Sequence, residues 1–347
     1  MSEGARCEHQ HCGEGALSFV RKCAAHTDLR RYSEQVREAL SQSPATGGLP
    51  GRYNFKKAHL EAVDFSGLDV RQSNFNQARL SRCQFVGTNL FDSDFSGSLI
   101  DGCDFVGSNL MRVHLAKTIV RNTSFSHSNL RAVNLTEATL ENVDLMSTLL
   151  YNAILWNADL SGAKHLKKKN FHNPRRPPSD WSGSGLSEKN GLVASESYRS
   201  LKHYFDRVGL YDDASWAAYQ ELSAQRRYFW EKRDLRFIPS FIMDAISGYT
   251  EKPNRAISAA AVIILIFAAL YYALNLPIRI TALGGPAGRC GFFECLYFSS
   301  ITFTTVGFGD LVPRSQPFFM LLVSLEAFCG PFMAGLFVFT LTRRYAR

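Results

Sequence analysis

From Phe55 to Leu160 every fifth residue is Phe, Leu, Val or Ile, giving 22 successive marks without an exception. Two positions ahead of a mark the residue is usually small, as at Ala58, Ser73, Cys83 and Ser108. The position just before a mark is often Asn or Asp, as in "NQARLSRCQFVGTNLFDSDF". Helices repeat every 3.6 residues and strands every two, so a period of five belongs to neither alone. A short fixed repeat predicts a solenoid, whose coils bury their apolar sides only against one another. The marks also alternate, with Phe55, Phe65, Phe75, Phe85, Phe95 and Phe105 between aliphatic residues. That pattern fits a four-sided coil of 20 residues, with Phe on two opposite faces and Cys83 stacked over Cys103. Five and a half such coils, at about 4.8 Å each, make a rod about 26 Å long. Its interior is filled by the marks, so no ligand pocket is expected inside it.

These residues resemble the pentapeptide-repeat family, which implies a right-handed quadrilateral β-helix over residues 51–165. Some family members mimic DNA and protect topoisomerases, and those are strongly acidic. Residues 51–163 carry 10 Lys/Arg and 11 Asp/Glu, a net of −1, which argues against polyanion mimicry. A rigid spacer, or a docking surface for an unidentified cytoplasmic ligand or protein, is the expectation.

Ahead of the repeats, "CEHQHCGEGALSFVRKCAAHTD" sets Cys7, Cys12, Cys23 and His26 in a C-x4-C-x10-C-x2-H arrangement. Two short ligand pairs separated by a loop build a closed tetrahedral zinc site, structural because no position stays open. The spacing resembles a small Cys3His zinc module, assigned to residues 1–48; His9 and His11 are alternative ligands. "TDLRRYSEQVREAL" reads as a short capped helix. No apolar signal segment occurs in the first 50 residues, so the N-terminal part is expected in the cytoplasm.

Residues 166–194 read as an exposed linker rich in Lys, Pro, Gly and Ser, with His165 ending the five-residue rule. Residues 195–250 read as cytoplasmic and interfacial helices. In the first, Tyr198, Leu201, Tyr204, Phe205 and Val208 share a face. Gly209 breaks it, and Asp212 or Asp213 caps a second helix running to about Arg233. This α-helical hairpin is expected to carry the rod's position to the membrane. "LRFIPSFIMDAISGY" follows as an interfacial segment offering Phe237, Ile238, Phe241, Ile242 and Ile246 to lipid.

Residues 251–347 form the last domain. "AISAAAVIILIFAALYYALNL" is 21 residues without a charge, enough to cross the hydrocarbon core. A second run extends from Pro317 through Thr342, with Glu326 its only charge. Basic residues flank both spans, Arg255 before the first and Arg343-Arg344 after the second. They orient both termini to the cytoplasm and residues 277–316 outside. The excess positive charge of +8 therefore suits a membrane and not nucleic acid.

Between the spans, "FECLYFSSITFTT" reads as a re-entrant helix too short to cross, followed by Thr305-Val306-Gly307-Phe308-Gly309-Asp310. Irregular backbone at membrane depth is tolerated where it lines a water-filled path. Glycines let successive carbonyls face one axis and replace a cation's hydration shell. The Thr305 hydroxyl would add an innermost ring, and Asp310 would brace the outer mouth. The region resembles the pore of a two-transmembrane potassium channel, with Phe308 where that family usually has Tyr. The resemblance implies K+ ions in the filter and a hinge at Gly330, with Gly335 as the fallback. One filter strand per chain makes the closed ring a homotetramer in the cell membrane. Glu326, costly in a span unless paired or wet, is placed with Thr304 as support behind the filter or facing a hydrated crevice. The small residues at those two positions serve equally well for close helix packing. A disulfide between Cys290 and Cys295 stays open.

The chain thus reads as a multidomain membrane protein: a zinc-like module, a β-helix, a helical hairpin and a two-helix potassium channel pore. A non-selective cation channel, and a membrane-anchored repeat scaffold with a vestigial pore, are the alternatives. No acid–base pair, nucleophile constellation or cofactor loop marks an enzyme. No nucleotide loop, calcium loop or voltage-sensing arginine helix marks a stimulus. Regulation is expected to enter from the N-terminal side.

Overall fold

The computed structural model describes residues 8, 16–19, 24, 27–41, 52–171, 191–280, 286–287, 290–313 and 316–345. Cys7, Cys12, Cys23 and His26 lie outside the described residues, as does most of the linker. The chain divides into two compact units, Met1–Lys232 and Arg233–Arg347.

The first unit is a β-solenoid. Helix α1 (Leu29–Ser41) precedes strands β1 (His59–Glu61), β2 (Arg79–Ser81), β3 (Leu99–Asp101), β4 (Ile119–Arg121) and β5 (Thr139–Glu141). These strands form one parallel sheet in chain order, with Leu60, Leu80, Ile100, Val120 and Leu140 in register. Bridges such as Asn54↔Asn74, Asp64↔Gln84 and Asp69↔Asn89 hold the other three sides, again 20 residues apart. Strands β6 (Val143–Asp144) and β7 (Ala163–Lys164) continue the third side. Each coil is therefore four pentapeptides.

The local chemistry explains the pentad. The residue two places after a mark turns the corner with positive φ, at Lys57, Ala62, Gly67, Gln72, Gln77 and onward along the rod. Most of these are not glycine, a conformation that a Cβ disfavours. The Asn or Asp before the mark offsets this by closing an Asx turn. Asp64 Oδ1 accepts from the Ser66 amide at 2.8 Å, and Asp94 Oδ1 from Ser96 at 2.8 Å. Small residues two places before a mark are buried beside the corner, and Cys83 and Cys103 are both buried free thiols.

The alternating phenylalanines stack face to face along two sides. Ring centroids lie 4.8 Å apart for Phe65–Phe85 and 4.6 Å for Phe85–Phe105. Across the coil, Phe75 and Phe85 meet edge to face at 6.0 Å. Phe85→Ala would open a cavity costing about 3–5 kcal/mol. The expected result is faster amide hydrogen exchange through the adjoining coils, with no change for Val86→Ala on the outer surface.

Both ends of the rod are covered, as a solenoid requires. At the start, the Ser18 amide donates to the Asn54 carbonyl at 2.8 Å, and the Asn54 amide donates to Ser18 Oγ at 2.7 Å. Tyr32 and Val36 of α1 are fully buried there, and the Tyr32 hydroxyl donates to the Ser18 carbonyl at 2.7 Å. At the far end, a 3-10 turn (Lys168–Phe171) leads to helices α2 (Gly191–Arg207) and α3 (Tyr211–Glu231).

This hairpin packs onto the last coil. Tyr198, Leu201, Phe205 and Ala214 join the solenoid core. The Leu155 amide donates to Ser197 Oγ at 3.1 Å, and the Tyr204 hydroxyl donates to the Ala163 carbonyl at 3.0 Å. The hairpin expected to reach for the membrane is thus the rod's cap. Two details differ from the sequence reading. Val208 is exposed. Leu210, and not an Asp, precedes α3; Asp212 and Asp213 lie in its first turn, where Asp213 accepts from the Lys168 amide at 2.9 Å.

In the second unit, helix α4 (Phe237–Ser247) is followed by α5 (Pro253–Leu274). After β8 (Pro277–Ile280) and β9 (Pro286–Ala287) come α6 (Phe292–Phe303), β10 (Leu311–Pro313) and α7 (Pro317–Tyr345). The 22 residues of α5 and the apolar stretch of 26 in α7 are each long enough to cross a membrane. At 12 residues α6 is too short. Strand β8 pairs antiparallel with both β9 and β10, tying together the segment between the spans.

Arg255 at the start of α5 donates to the Asp244 carbonyl at 2.8 Å and to its carboxylate at 2.6 Å, which fixes the turn from α4. Leu235, Ile238, Phe241 and Ile242 are exposed, whereas Ile246 turns inward against the cluster of Ala256, Phe303 and Met333. Ile246 is therefore not part of the exposed apolar face of α4.

Candidate ion-conduction site

Helix α6 delivers the segment at its C-terminus by holding its amides. The Thr305 amide donates to the Thr302 carbonyl at 3.0 Å, and those of Val306 and Gly307 to the Ile301 carbonyl at 2.9 and 3.3 Å. Beyond the helix, φ is positive at every second residue: Thr305 (+58°), Gly307 (+53°) and Gly309 (+81°). In an ordinary strand, carbonyls point alternately to opposite sides. Interleaving left-handed residues turns them toward a common side, which is what a line of cation-coordinating oxygens needs. Among the described residues, none of the carbonyls from Thr305 to Gly309 accepts a backbone hydrogen bond. A β-branched residue at positive φ is strained by about 1–3 kcal/mol, and Thr305 holds that conformation at this position.

The flanking side chains brace this segment. Thr304 Oγ1 donates to the Ser300 carbonyl at 2.7 Å, and Thr305 Oγ1 to the Thr304 carbonyl at 2.7 Å. The Tyr297 hydroxyl on α6 lies close enough to the Asp310 carboxylate to interact with it, which brings the outer end of the segment beside its helix. Val306 and Phe308 are exposed in the single chain.

Glu326 is fully buried on α7. It accepts from the Tyr271 hydroxyl of α5 at 2.5 Å and meets the Ser299 hydroxyl of α6. Ser299 Oγ also lies 2.9 Å from the Ile264 carbonyl. One carboxyl thereby joins both spans to the short helix behind the filter-like segment.

Gly330 and Gly335 differ in surroundings. A Cβ on Gly330 would overlap the Phe303 carbonyl at the end of α6, whereas one on Gly335 would meet nothing within 4 Å. Pro331 lies inside α7 directly after Gly330. Close passage of α7 under α6 is the steric demand at Gly330. Cys290 and Cys295 are both buried in the apolar cluster of Tyr271, Phe298 and Leu311.

Sequence reasoning reached Glu326 but not its partners. Tyr271 and Ser299 read as parts of apolar or re-entrant runs, and only their positions opposite a buried carboxyl give them a role. Among the described residues no group of three or more His, Cys, Asp or Glu could hold a metal ion.

A repeat solenoid is followed by two helices long and apolar enough to cross a membrane, with the short helix α6 between them. Residues 259–347 match the family model described as ion channel, and residues 54–90, 88–126 and 128–164 match pentapeptide repeats, in eight copies. The chain carries pentapeptide repeats ahead of an ion-channel domain. Neither family is one of enzymes.

Among solved structures, HetL from Nostoc sp. strain PCC 7120 is 22% identical, with a TM-score of 0.21. The similarity covers 33% of this chain and 60% of HetL, so less than two thirds of that protein is spanned. Rfr23 from Cyanothece 51142 is 22% identical over 32% of this chain and 88% of its own, with a TM-score of 0.26. A pentapeptide repeat protein of the Arabidopsis thaliana thylakoid lumen is 26% identical over 37% and 82%, with a TM-score of 0.16. No curated protein matches the chain at a significant level.

Proposed function

We propose that this chain is one subunit of a homotetrameric, potassium-selective channel of the cell membrane. Its pentapeptide-repeat rod gates or scaffolds the pore from the cytoplasm, where both termini lie. The observation that carries this reading is the alternation of φ from Thr305 to Gly309, with the segment's amides tied back to α6. That leaves Thr305, Val306, Gly307 and Phe308 carbonyls, with the Thr305 hydroxyl, to coordinate dehydrated K+. One chain supplies one such segment, and a closed ring around a cation needs four. Phe318, Leu321, Leu325, Phe328 and Phe332, exposed on α7 at intervals of three and four residues, supply an apolar stripe for neighbouring subunits and lipid. The exposed residues of α4 supply a second lipid contact.

Reversal potentials of the full chain in bilayers, in opposed potassium and sodium gradients, test the reading. Strong potassium preference is expected. Equal permeability would identify a non-selective cation channel, and absence of flux from a correctly assembled protein would favour a scaffold. Gly307→Ala removes the glycine that holds φ at +53°, a conformation about 1–2 kcal/mol less favourable for an L-residue. It is expected to reduce potassium flux to background while the protein still assembles.

The spacing of Cys7, Cys12, Cys23 and His26 supports one structural Zn2+ per chain. Metal analysis is expected to show it lost in Cys23→Ser, and retention of zinc there would remove the assignment.

A further inference from the structure

A sizeable polar cleft lies at the rod's first coil, where α1 meets strands β1 and β2. Its volume is about 470 Å³, and Glu34, Arg37, His59, Glu61, Arg79 and Ser81 are among its walls. That volume lies within the range of small-molecule sites.

The junction is built and not incidental. Ser33 Oγ of α1 donates to the His59 carbonyl at 3.0 Å and accepts from the Glu61 amide at 3.0 Å, pinning the helix to the strand edge. Arg37 Nε donates to the Ser33 carbonyl at 3.3 Å, which leans its guanidinium over the cleft. On the opposite wall, His59 and Arg79 are register partners in adjacent parallel strands. Glu61 is neutralised by its ion pair with Arg82. Neither Arg37 nor Arg79 has a carboxylate within ion-pair distance among the described residues. Burial, and then the Arg79 charge, pushes the His59 pKa down, so the ring is a neutral hydrogen-bonding group at pH 7.

We infer that this cleft between α1 and the first two coils binds a small hydroxylated phosphate monoester. Two guanidiniums, one from α1 and one from β2, line the same cleft, and guanidinium forks are the groups that bind a phosphate dianion through paired hydrogen bonds. The same two charges repel a metal ion, despite the nearby Glu34 and Glu61. The carboxylate of Glu34 and the hydroxyl of Ser81 accept from, or donate to, sugar hydroxyls. The walls hold no Phe, Tyr or Trp, while a carboxylate and a hydroxyl are at hand for sugar hydroxyls, which favours a sugar phosphate over a nucleotide. The inference goes beyond ion conduction and does not rest on it, since binding is read directly.

The test is calorimetric titration of the full chain in lipid nanodiscs with glucose 6-phosphate, inorganic phosphate and glucose. Saturable binding of glucose 6-phosphate is expected, with weaker binding of phosphate and none of glucose. Arg79→Glu is expected to weaken glucose 6-phosphate binding by at least about tenfold, the loss of a charge-assisted bidentate contact. Arg37→Gln on the facing wall weakens it in the same direction and keeps the test independent of any folding defect in the first variant. Lys164→Glu, an equal charge change at the far end of the rod, leaves it unchanged. Absence of saturable binding, or equal weakening by Arg79→Glu and Lys164→Glu, overturns the site.

Discussion

Glu326→Ala is expected to abolish potassium flux in reconstituted bilayers, while Glu326→Gln retains most of it. The carboxyl is fully buried and joins Tyr271 of α5 and Ser299 of α6 to α7. Alanine leaves the Tyr271 hydroxyl without its partner in an apolar setting, at about 1–3 kcal/mol. It also leaves Ser299 with only the Ile264 carbonyl of its two partners, and opens a void between three helices. Membrane reference states reduce such costs, since lipid-embedded helices find other partners, to about 0.6 kcal/mol per contact on average. The void adds the larger cost, and together they loosen α6 and with it the amides that orient the segment from Thr305 to Gly309. Glutamine keeps a carbonyl for Tyr271. Its amide donates to Ser299 Oγ, whose own proton is then free for the Ile264 carbonyl 2.9 Å away. A Glu326→Gln channel as inactive as the alanine variant would show that the charge, and not the connection, is what the pore needs. Tyr271→Phe tests the same staple from the other side and should give an intermediate loss.

Gly330→Ala should be as damaging as any single substitution in the second unit, whereas Gly335→Ala should conduct. The added methyl at 330 has no space, because the obstacle is the Phe303 backbone carbonyl and not a side chain that can turn away. Relieving the overlap means moving α7 away from α6, and overpacking of this kind costs about 1–3 kcal/mol or more. Phe303 ends α6, directly before Thr304 and Thr305, so the displacement falls on the filter-like segment. Cross-linking to count subunits, together with flux, separates failed assembly from a distorted pore. If Gly335→Ala proves the more damaging, bending of α7 at that glycine, and not its close passage at Gly330, dominates.

The solenoid was legible in the sequence because its rule is local and strictly repeated. Each mark at a fifth position is buried, and Leu60, Leu80 and Ile100 pair one coil apart as the spacing demands. The corners were less visible. Positive φ at Lys57, Ala62 and Gln72 carries no residue signature, and only the preceding Asn or Asp hints at the turn. The hairpin's role as a cap was not legible at all. Tyr198, Leu201 and Phe205 announce an apolar face, but what covers such a face is a tertiary fact. In the second unit, helix lengths and the glycine spacing were readable. The Tyr271–Glu326–Ser299 connection was not, because it joins residues 271, 299 and 326 through space.

Because every coil repeats after 20 residues with the same register, length and azimuth along the rod are separable quantities. Excising one whole coil, residues 99–118, would slide the two caps together by about 4.8 Å without swivelling either. Excising a single pentapeptide would instead swing one cap by a quarter revolution against the other. The rod is thus graduated, and lineages bearing such a domain can lengthen it in whole steps while preserving which way its ends face.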